Sequence, residues 1–398
     1  INRNSGKALE VWEWATTDGA RLSQYTDLNG ANQQWQLIEV DGDDDGGNDG
    51  CGAGTGDAEV VLSGGTWTAT NSGSTVYSGG DMLSAMRAGV DSLTAGRTSQ
   101  ERVVVRGSGA MSASQSLDLP SHTALEVCGT IDVTGSPSGD NAVVRARGVS
   151  DVAVPYLSVT GAPYFGVFVR NASNVHLGQI DLRLSGGLGI RIDNHSDRST
   201  PTTNVTIDDV YVEGTGNHGV ETYGVDGLTI GTVVARNTAY SGLLLNDTIN
   251  AEVGLVDAQG AGTGTGYAAF RMANRNGRVG GSYPTNIHVG EVIARGGGRG
   301  VFCVSESGGA VIDRVDIADT GNNAILIENC YNVDIAAESG TVAGPGTIRI
   351  AARDEFANTS DVTIHNLTVT DSALVENPCG TNVTFTNNTL INTSDNTC

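Results

Sequence analysis

One short motif recurs along most of the chain and limits what the chain can fold into. Each copy opens with Gly, Ala or Thr and continues with alternating apolar residues. The eight copies are GVFVR (Gly166–Arg170), GIRID (Gly189–Asp193), GVETY (Gly219–Tyr223), GLLLN (Gly242–Asn246), AFRMA (Ala269–Ala273), GVFCV (Gly300–Val304), AILIE (Ala324–Glu328) and TIRIA (Thr347–Ala351). Successive copies start 23, 30, 23, 27, 31, 24 and 23 residues apart. Repetition at this interval indicates a solenoid, and the two-residue alternation of β-branched residues predicts that its elements are strands.

A right-handed parallel β-helix, an all-β fold, satisfies this pattern. Equivalent residues of successive coils would stack about 4.8 Å apart. The first and third residues after the opening residue are apolar in all copies but one, so we expect them to point into the core. The second and fourth would then point outward. Residues 80–95 form an amphipathic helical pattern, which we expect to cap the N-terminal end of the solenoid. Its apolar side carries Met82, Leu83, Met86, Val90 and Leu93.

The charge of the chain excludes some classes of partner. Its 45 acidic and 22 basic residues give a net charge of −23. Such a surface would not attract nucleic acid or an anionic membrane. No apolar run approaches the ~18 residues that cross a bilayer. We therefore expect a soluble protein, a monomer, with neither nucleic acid nor a membrane as partner.

The six cysteines show no spacing typical of a metal site, which favours disulfides. We expect the pairs Cys51–Cys128, Cys303–Cys330 and Cys379–Cys398. The chain begins at Ile1 rather than Met, which suggests a processed product of an exported precursor. Both observations predict a secreted, extracellular protein.

The N-terminal segment differs in character from the repeats. SGKALEVWEWATTDGARLSQY and NGANQQWQLIEV resemble one repeat of a ricin-B type β-trefoil lectin, whose repeats end in Gln-x-Trp, here Gln33-Gln34-Trp35. By position, the resemblance implies a sugar site at Glu10, Tyr25 and Asn32. A trefoil needs three such repeats and one is present, so the segment would be a carbohydrate-binding fragment or an inert appendage.

The Asp- and Gly-rich segment that follows, DGDDDGGNDG, cannot bury apolar area and predicts a flexible acidic linker. We therefore expect three parts: the lectin-like fragment at 1–40, the linker at 41–50, and a β-helix catalytic domain at 51–398.

The outward positions of the middle coils collect side chains that could perform chemistry. Those positions hold Arg191, Asp193, Glu221, Tyr223, Asn246 and Arg271. The turns at the ends of these strands add His195, His218, Tyr240, Asp247, Tyr267 and Asn274. The alternative interpretation is a solvated face whose charges only keep the rod soluble.

The spacing of two carboxylates suggests glycoside hydrolysis. Asp193 and Glu221 would lie on adjacent strands, offset by two residues, with Cα atoms about 8 Å apart. Inverting hydrolysis needs carboxyl groups about 6.5–9.5 Å apart. Glu221 would act as acid and Asp193 as base, or the reverse, and Arg271 would help to clamp a substrate carboxylate. The residues expected to bind the sugar chain are Arg191, Tyr223, Tyr240, Asn246, Tyr267 and Arg299.

The β-helix with the turn Gly216-Asn217-His218-Gly219 resembles the pectin lyase-like superfamily over about residues 55–398. That superfamily includes polygalacturonases, pectate lyases and alginate lyases. Polygalacturonases place a Gly-His-Gly turn before Arg-Ile-Lys, and the nearest counterpart of the latter here is Phe270-Arg271-Met272. The resemblance implies an acidic polysaccharide as substrate, with His218 and Arg271 among the catalytic residues.

Two other functions remain open. A lyase would cleave by β-elimination, which needs a base and a neutralised uronate carboxylate. The resemblance implies Arg271 or Arg191 as base, and calcium as a possible cofactor on Asp193, Glu221 and Asp247. Hydrolysis, which requires no cofactor, is slightly favoured because Lys is absent from the solenoid. The third possibility is a non-enzymatic adhesin or fibre component.

Overall fold

The computed structural model describes residues 7–12, 21–26, 28, 30–33, 50–195, 197 and 199–398. The chain divides into two compact units, Ile1–Asp49 and Gly50–Cys398. In the first unit, the antiparallel strands β1 (Ala8–Val11) and β2 (Leu22–Tyr25) precede a 3-10 turn at Ala31–Gln33. Trp35 of the Gln-x-Trp motif and residues 41–49 of the predicted linker lie outside the described residues.

The second unit begins with a cap. It consists of β3 (Ala58–Ser63), β4 (Thr66–Asn71), β5 (Ser74–Gly79) and the helix α1 (Met82–Asp91). The carboxylate of Asp81 accepts a hydrogen bond from the backbone N–H of Ser84 at 2.7 Å, which satisfies one free donor at the start of the helix. The apolar side predicted for this helix is buried against the strands of the cap and the first coil. No helix in the described part of the chain is long and apolar enough to span a bilayer.

The rest of the second unit is a right-handed parallel β-helix of about 13 turns, as predicted. In chain order its strands are β6 (Glu101–Arg106), β7 (Gly109–Ser112), β8 (Leu117–Asp118), β9 (Thr123–Thr134), β10 (Ala142–Arg147), β11 (Ser150–Gly161), β12 (Phe165–Arg170), β13 (Ser173–Leu184), β14 (Leu188–Asp193), β15 (Thr202–Glu213), β16 (Val220–Tyr223), β17 (Val225–Arg236), β18 (Leu243–Asn246), β19 (Ile249–Gln259), β20 (Phe270–Ala273), β21 (Ile287–Arg295), β22 (Arg299–Ala318), β23 (Asn323–Ala343), β24 (Thr347–Ala351), β25 (Ser360–His365), β26 (Leu367–Thr370), β27 (Ala373–Glu376), β28 (Thr381–Thr386), β29 (Thr389–Ile391) and β30 (Ser394–Asn396).

The motif strands form one face of the solenoid, which we call the front sheet. It consists of β10, β12, β14, β16, β18, β20 and β24, with residues 299–304 of β22 and 323–328 of β23. Neighbouring strands of the front sheet pair in parallel, in the register predicted from the motif. The first residue after each opening residue is at most 1% exposed and points into one continuous apolar core. These residues are Val167, Ile190, Val220, Leu243, Phe270, Val301, Ile325 and Ile348.

The longer strands turn a corner of the solenoid at a glycine. In β17, β19 and β21 the alternation of buried residues shifts by one position at Gly231, Gly254 and Gly290. A Cβ atom on Gly254 would lie 2.6 Å from the carbonyl oxygen of Gly231 on the preceding coil. At Gly254 the corner therefore leaves no room for a side chain, since the backbones of the two coils approach each other closely there.

Three disulfides link the predicted pairs, Cys51–Cys128, Cys303–Cys330 and Cys379–Cys398. The first joins the start of the second unit to β9, the second joins β22 to β23, and the third closes the last coil. Disulfides are typical of proteins that fold in oxidising compartments.

The corner glycines allow a test of the fold. Gly254→Ala should lower the free energy of unfolding by about 1–3 kcal/mol, because its methyl group meets backbone that cannot move away. The control is Gly264→Ala, where the added Cβ meets nothing within 4 Å. Urea unfolding measures both, and equal stability of the two variants would contradict the close approach of the coils.

Candidate functional site

Two rows of side chains run along the outer surface of the front sheet, with neighbours about 4.8 Å apart. The first row is Phe168, Arg191, Glu221, Leu244, Arg271, Phe302, Leu326 and Arg349. The second row begins with Arg170, Asp193, Tyr223, Asn246 and Ala273. The predicted site residues thus lie on neighbouring coils.

The expectation that these rows form an exposed surface is wrong for many of their members. Phe168 and Phe302, although they point away from the main core, belong to two small apolar clusters of their own. The guanidinium groups of Arg170 and Arg271 lie over these rings, 4.5 Å from the centroid of Phe168 and 5.4 Å from that of Phe302. Arginine stems and guanidinium faces cover the apolar surface, which hydrophobic patterning alone does not predict.

Asp193 is fully buried and is held by two guanidinium groups. Arg170 binds it through Nε to Oδ1 at 2.5 Å and Nη2 to Oδ2 at 2.8 Å. Arg191 Nε donates to Oδ2 at 2.9 Å, and the backbone N–H of His195 donates to Oδ1 at 3.2 Å. Burial raises the pKa of Asp193, but the bonds from Arg170 and Arg191 outweigh it and hold the pKa below its ordinary value. Both oxygens are thus occupied and closed to solvent, an environment that does not favour the predicted role of general base.

The guanidinium of Arg191 also occupies the space between the two carboxylates. Its Nη1 donates to Oε2 of Glu221 at 2.5 Å, while its Nε binds Asp193. Inverting hydrolysis would need a water molecule in this space. Arg191 is therefore committed to the protein and is not available to clamp a substrate.

Glu221 is the carboxyl group of the pair that retains the properties of an acid–base group. Its Oε1 accepts a long hydrogen bond of 3.3 Å from Nδ2 of Asn246, and its side chain is 12% exposed. Burial raises the pKa of Glu221, and the opposing attraction of Arg191 does not cancel the rise. Perturbation of this kind moves a carboxyl group toward the range in which it can exchange protons at ordinary pH.

His218 is a neutral imidazole with a defined tautomer. Its Nδ1 accepts a hydrogen bond from the backbone N–H of Ser241 at 3.0 Å, which places the proton on Nε2. Burial lowers the pKa of His218 to about 3, with a further contribution from the charges of Arg271 and Arg191. His218 can therefore donate a hydrogen bond through Nε2–H, but it cannot act as a base through that atom.

Tyr240 and Tyr267 stack on each other rather than lying open side by side. Their ring centroids are 3.9 Å apart with an angle of 15° between the planes, and the imidazole of His218 meets both rings edge-on. Burial and a hydrogen bond with Tyr240 raise the pKa of the Tyr267 hydroxyl, which stays protonated at neutral pH. The predicted binding of sugar by Tyr240 and Tyr267 could therefore use only the outer faces of the two rings.

Arg271 is a largely buried guanidinium without a counter-charge. It lies two coils beyond Glu221 in the first row, with Leu244 between them. Its Nε is buried without a hydrogen-bond partner, and no carboxylate in the described part of the chain forms an ion pair with it. Burial lowers the pKa of Arg271. Desolvating a guanidinium is costly unless an anion is supplied, so Arg271 has the character of a ligand site.

Arg299 and Arg349 extend this positive charge along the sheet. Arg299 donates through Nε to Oδ1 of Asn323 at 3.1 Å and through Nη1 to the carbonyl oxygen of Thr265. Both acceptors are neutral, and burial lowers the pKa of Arg299. Arg349 is exposed at the end of the first row. We call Arg271, Arg299 and Arg349 the arginine strip.

Asn246 and Tyr223 have different surroundings. Asn246 is almost fully buried, donates to Glu221, and accepts a hydrogen bond from Nδ2 of Asn274 at 2.7 Å. It therefore positions Glu221, and both the nitrogen and the oxygen of its amide have partners within the protein. Tyr223 instead lines a cavity of about 390 Å³, beside Asp247 and Asn274.

Calcium on Asp193, Glu221 and Asp247 stays a prediction. Both oxygens of Asp193 are bound by arginines, as described above. Among the described residues, one group of potential ligands lies close enough together to share an ion: Cys51, Glu126 and Cys128. The sulfur atoms of this group are joined in a disulfide.

The sugar site predicted in the N-terminal unit is only partly assembled. Glu10 accepts hydrogen bonds from Ser23 Oγ at 3.2 Å, Gln33 Nε2 at 3.0 Å and Asn32 Nδ2 at 3.5 Å. Glu10 and Asn32 are thus adjacent, but the carboxylate already has partners in the protein. Tyr25 is exposed on β2.

Arg170, which binds Asp193, is absent from the site residues predicted from the sequence. It aligns with Asp193 in the second outward row. Opposite charges at directly paired positions of neighbouring strands attract each other, so this alignment was a signal for the buried ion pair.

Comparison with known proteins gives the following relatives. Residues 1–48 match the family described as ricin-type beta-trefoil lectin domain-like. A comparison of the chain with curated proteins gives no match. Among solved structures, the mannuronan C-5 epimerase AlgE6 A-module of Azotobacter vinelandii is 14% identical, with 79% of this chain and 95% of that chain covered and a TM-score of 0.45.

Two further structures share the solenoid architecture. PfbA, a surface adhesin of Streptococcus pneumoniae, is 10% identical, with coverages of 79% and 87% and a TM-score of 0.41. The catalytic domain of a GH87 alpha-1,3-glucanase in complex with nigerose is 14% identical, with coverages of 75% and 57% and a TM-score of 0.34. These likenesses concern the fold alone. The chain combines a right-handed parallel β-helix, seen in its own strand pairing, with an N-terminal segment that is similar to a ricin-type lectin domain.

The buried charge network gives a stability prediction. Asp193→Asn should lower the free energy of unfolding by about 3–5 kcal/mol, because it removes the buried carboxylate shared by Arg170 and Arg191 and leaves them only Asp140 and Glu221. The pKa of Asp193 is depressed in the folded state, so its contribution is present above the ordinary aspartate pKa. The contribution is lost as pH falls through the lowered value, and the difference between variant and wild type should narrow in acid.

The matched control is Asp118→Asn, since Asp118 pairs with Arg145 but its side chain is 60% exposed. Loss of this exposed pair should cost less than about 1 kcal/mol. Urea unfolding of the two variants at neutral and acidic pH tests the difference, and similar losses at neutral pH would contradict the role of Asp193 as a buried structural anion.

Proposed function

We propose that the protein is a secreted polysaccharide lyase that cleaves uronate-containing chains by β-elimination. The observation that carries this proposal is the pair formed by Glu221, a buried carboxyl group with a raised pKa, and Arg271, a largely buried guanidinium that forms no ion pair in the described part of the chain. β-Elimination requires these two functions, a proton acceptor and a positive group that neutralises the uronate carboxylate.

The arginine strip supports an anionic substrate. A chain with 45 acidic residues leaves Arg271, Arg299 and Arg349 without an ion pair in its described part. A carboxylate can bind a guanidinium through two parallel hydrogen bonds, and these bonds would compensate for the hydration that the buried guanidinium has lost. The strip would thus attract the carboxylates of successive uronates locally, although the protein as a whole is strongly negative.

The reaction would proceed between Glu221 and Arg271, which lie two coils apart in the first row. Arg271 would bind the uronate carboxylate and stabilise the negative charge that develops when the neighbouring C5 loses its proton. Glu221 takes that proton, the electron pair forms the C4–C5 double bond, and the C4–O bond breaks. The leaving oxygen takes the proton back from Glu221, so no water is consumed and the carboxylate is regenerated. One group can serve both steps only when the proton and the leaving oxygen lie on the same face of the ring.

The neighbouring residues have supporting roles in this scheme. Arg191, held by Asp193, fixes Glu221 in position. The Nε2–H of His218 donates a hydrogen bond to the substrate, and the half-buried Tyr240–Tyr267 pair forms one wall of the site. Hydrolysis by a carboxylate pair has less support, because Asp193 is withdrawn into the arginine network.

The reaction type can be tested by its products. Incubation with polymers of uronic acids should produce unsaturated sugars that absorb in the ultraviolet, and Glu221→Gln should abolish this signal. Glu252→Gln, a change on β19 away from the front sheet, is the control and should remain active. Reducing ends without ultraviolet absorbance would indicate hydrolysis, and binding without cleavage would indicate an adhesin.

The wild-type rate should fall as pH decreases through the raised pKa of Glu221, because the base must be ionised.

The role of Arg271 makes a separate prediction. Arg271→Gln should lower kcat/KM on a polyuronate by about tenfold to a hundredfold, because a charge-assisted hydrogen bond is lost. The loss should be much smaller on the methyl-esterified polymer, which has no charge to neutralise. An equal loss on both polymers would mean that Arg271 supports the structure of the site rather than the substrate carboxylate.

A further inference from the structure

A second groove lies on the solenoid away from the front sheet. It has a volume of about 500 Å³, within the range typical of ligand sites. The longer strands β9, β11, β13 and β15 form its floor. The polar side chains that line it are Thr130, Tyr156, Ser158, Gln179, Asp181, Arg183, Asp209 and Tyr211.

The stacking of coils arranges these side chains in rows. Tyr156, Gln179 and Asp209 align on three successive coils, and beside them Asp181 and Tyr211 align on the second and third. The two tyrosines thus lie at opposite corners of the groove, about 12 Å apart by strand spacing and rise. Amide and carboxylate groups occupy the positions between them.

The ring of Tyr211 is held in place by its neighbours. The guanidinium of Arg183 lies 4.7 Å from its centroid, and its hydroxyl donates to Oε2 of Glu213 at 2.5 Å. Arg183 is itself fixed by Asp181, whose Oδ1 and Oδ2 accept from Nε at 3.1 Å. An aromatic surface that is already ordered loses little entropy when a ligand binds.

One end of the groove is lined by the Cys51–Cys128 disulfide. The segment after Cys51 is anchored, because the backbone N–H of Gly52 donates to Glu126 at 3.0 Å and Arg102 donates to the carbonyl oxygen of Ala53 at 2.7 Å. The groove therefore has a fixed floor and a fixed end.

The charges of the groove select the class of ligand. Asp181 and Asp209 contribute two carboxylates, and the one cation of the lining, Arg183, is already paired. A polyanion would be repelled here, in contrast to the arginine strip. A neutral sugar chain fits, because its hydroxyl groups can donate to carboxylates while its apolar faces lie on aromatic rings.

We propose that this groove is a binding site for a neutral polysaccharide, separate from the front sheet and independent of the reaction proposed there. Such a site would hold the protein on a neutral component of a mixed polymer network while the front sheet acts on the anionic component.

Affinity electrophoresis of the full chain in gels that contain a neutral soluble β-glucan, galactomannan or xylan tests the proposal. At least one of these polymers should retard the wild-type protein. The double variant Tyr156→Ala/Tyr211→Ala should lose about tenfold or more in affinity, and Asp209→Asn should weaken binding as well. Cleavage of polyuronate oligomers by these variants should be unchanged.

Two controls locate the binding. Tyr25→Ala removes an exposed ring of the N-terminal unit, and Tyr164→Ala removes an exposed ring elsewhere on the solenoid. Both should bind like wild type. The proposal is overturned if none of the three polymers retards the protein, if the double variant is retarded like wild type, or if raised salt abolishes the retardation, since electrostatic capture would then be its cause.

Discussion

The stacking of coils in register is the constraint on which both proposed sites depend. Parallel hydrogen bonding brings residues that are 23 to 31 positions apart in sequence to a spacing of about 4.8 Å. Arg191, Glu221 and Arg271 are neighbours only through this repeat. If the pairing of a strand slipped by one residue, its outward side chains would point into the core. The apolar residues on either side of each outward position therefore fix the geometry of the site as strictly as the polar residues do.

A chain of buried charges refines that geometry. Arg170, Asp193, Arg191 and Glu221 alternate in sign across three coils, and each is held by the next. The two arginines satisfy Asp193 completely but leave Glu221 with a raised pKa. Two carboxylates that look equivalent in sequence thus have different environments, one that lowers the pKa of Asp193 and one that raises the pKa of Glu221. Environment rather than residue type separates them.

The repeat was sufficient to predict the fold and the register, because inward positions are set by apolar periodicity. The capping helix followed from its own amphipathic pattern, and the disulfides from six cysteines without metal-site spacing. The state of the outward positions could not be predicted in the same way. The alternation alone predicts Asp193 as a surface carboxylate, and only its alignment with Arg170 indicates the ion pair. The alternation likewise predicts Phe302 as exposed, whereas arginine stems cover its ring. Burial of an outward residue depends on side chains from neighbouring coils and turns, whose directions the sequence pattern does not contain.

The positions of the disulfides affect how such a rod would come apart. A solenoid frays from its ends, where a terminal coil has only one neighbour. Cys51–Cys128 encloses the cap and the first coil, and Cys379–Cys398 closes the last one. Tension applied to the ends of the second unit would therefore meet covalent loops before it could peel coils away one at a time. In a reducing medium the same rod would unravel from both tips, so its resistance to pulling depends on the redox state of its surroundings.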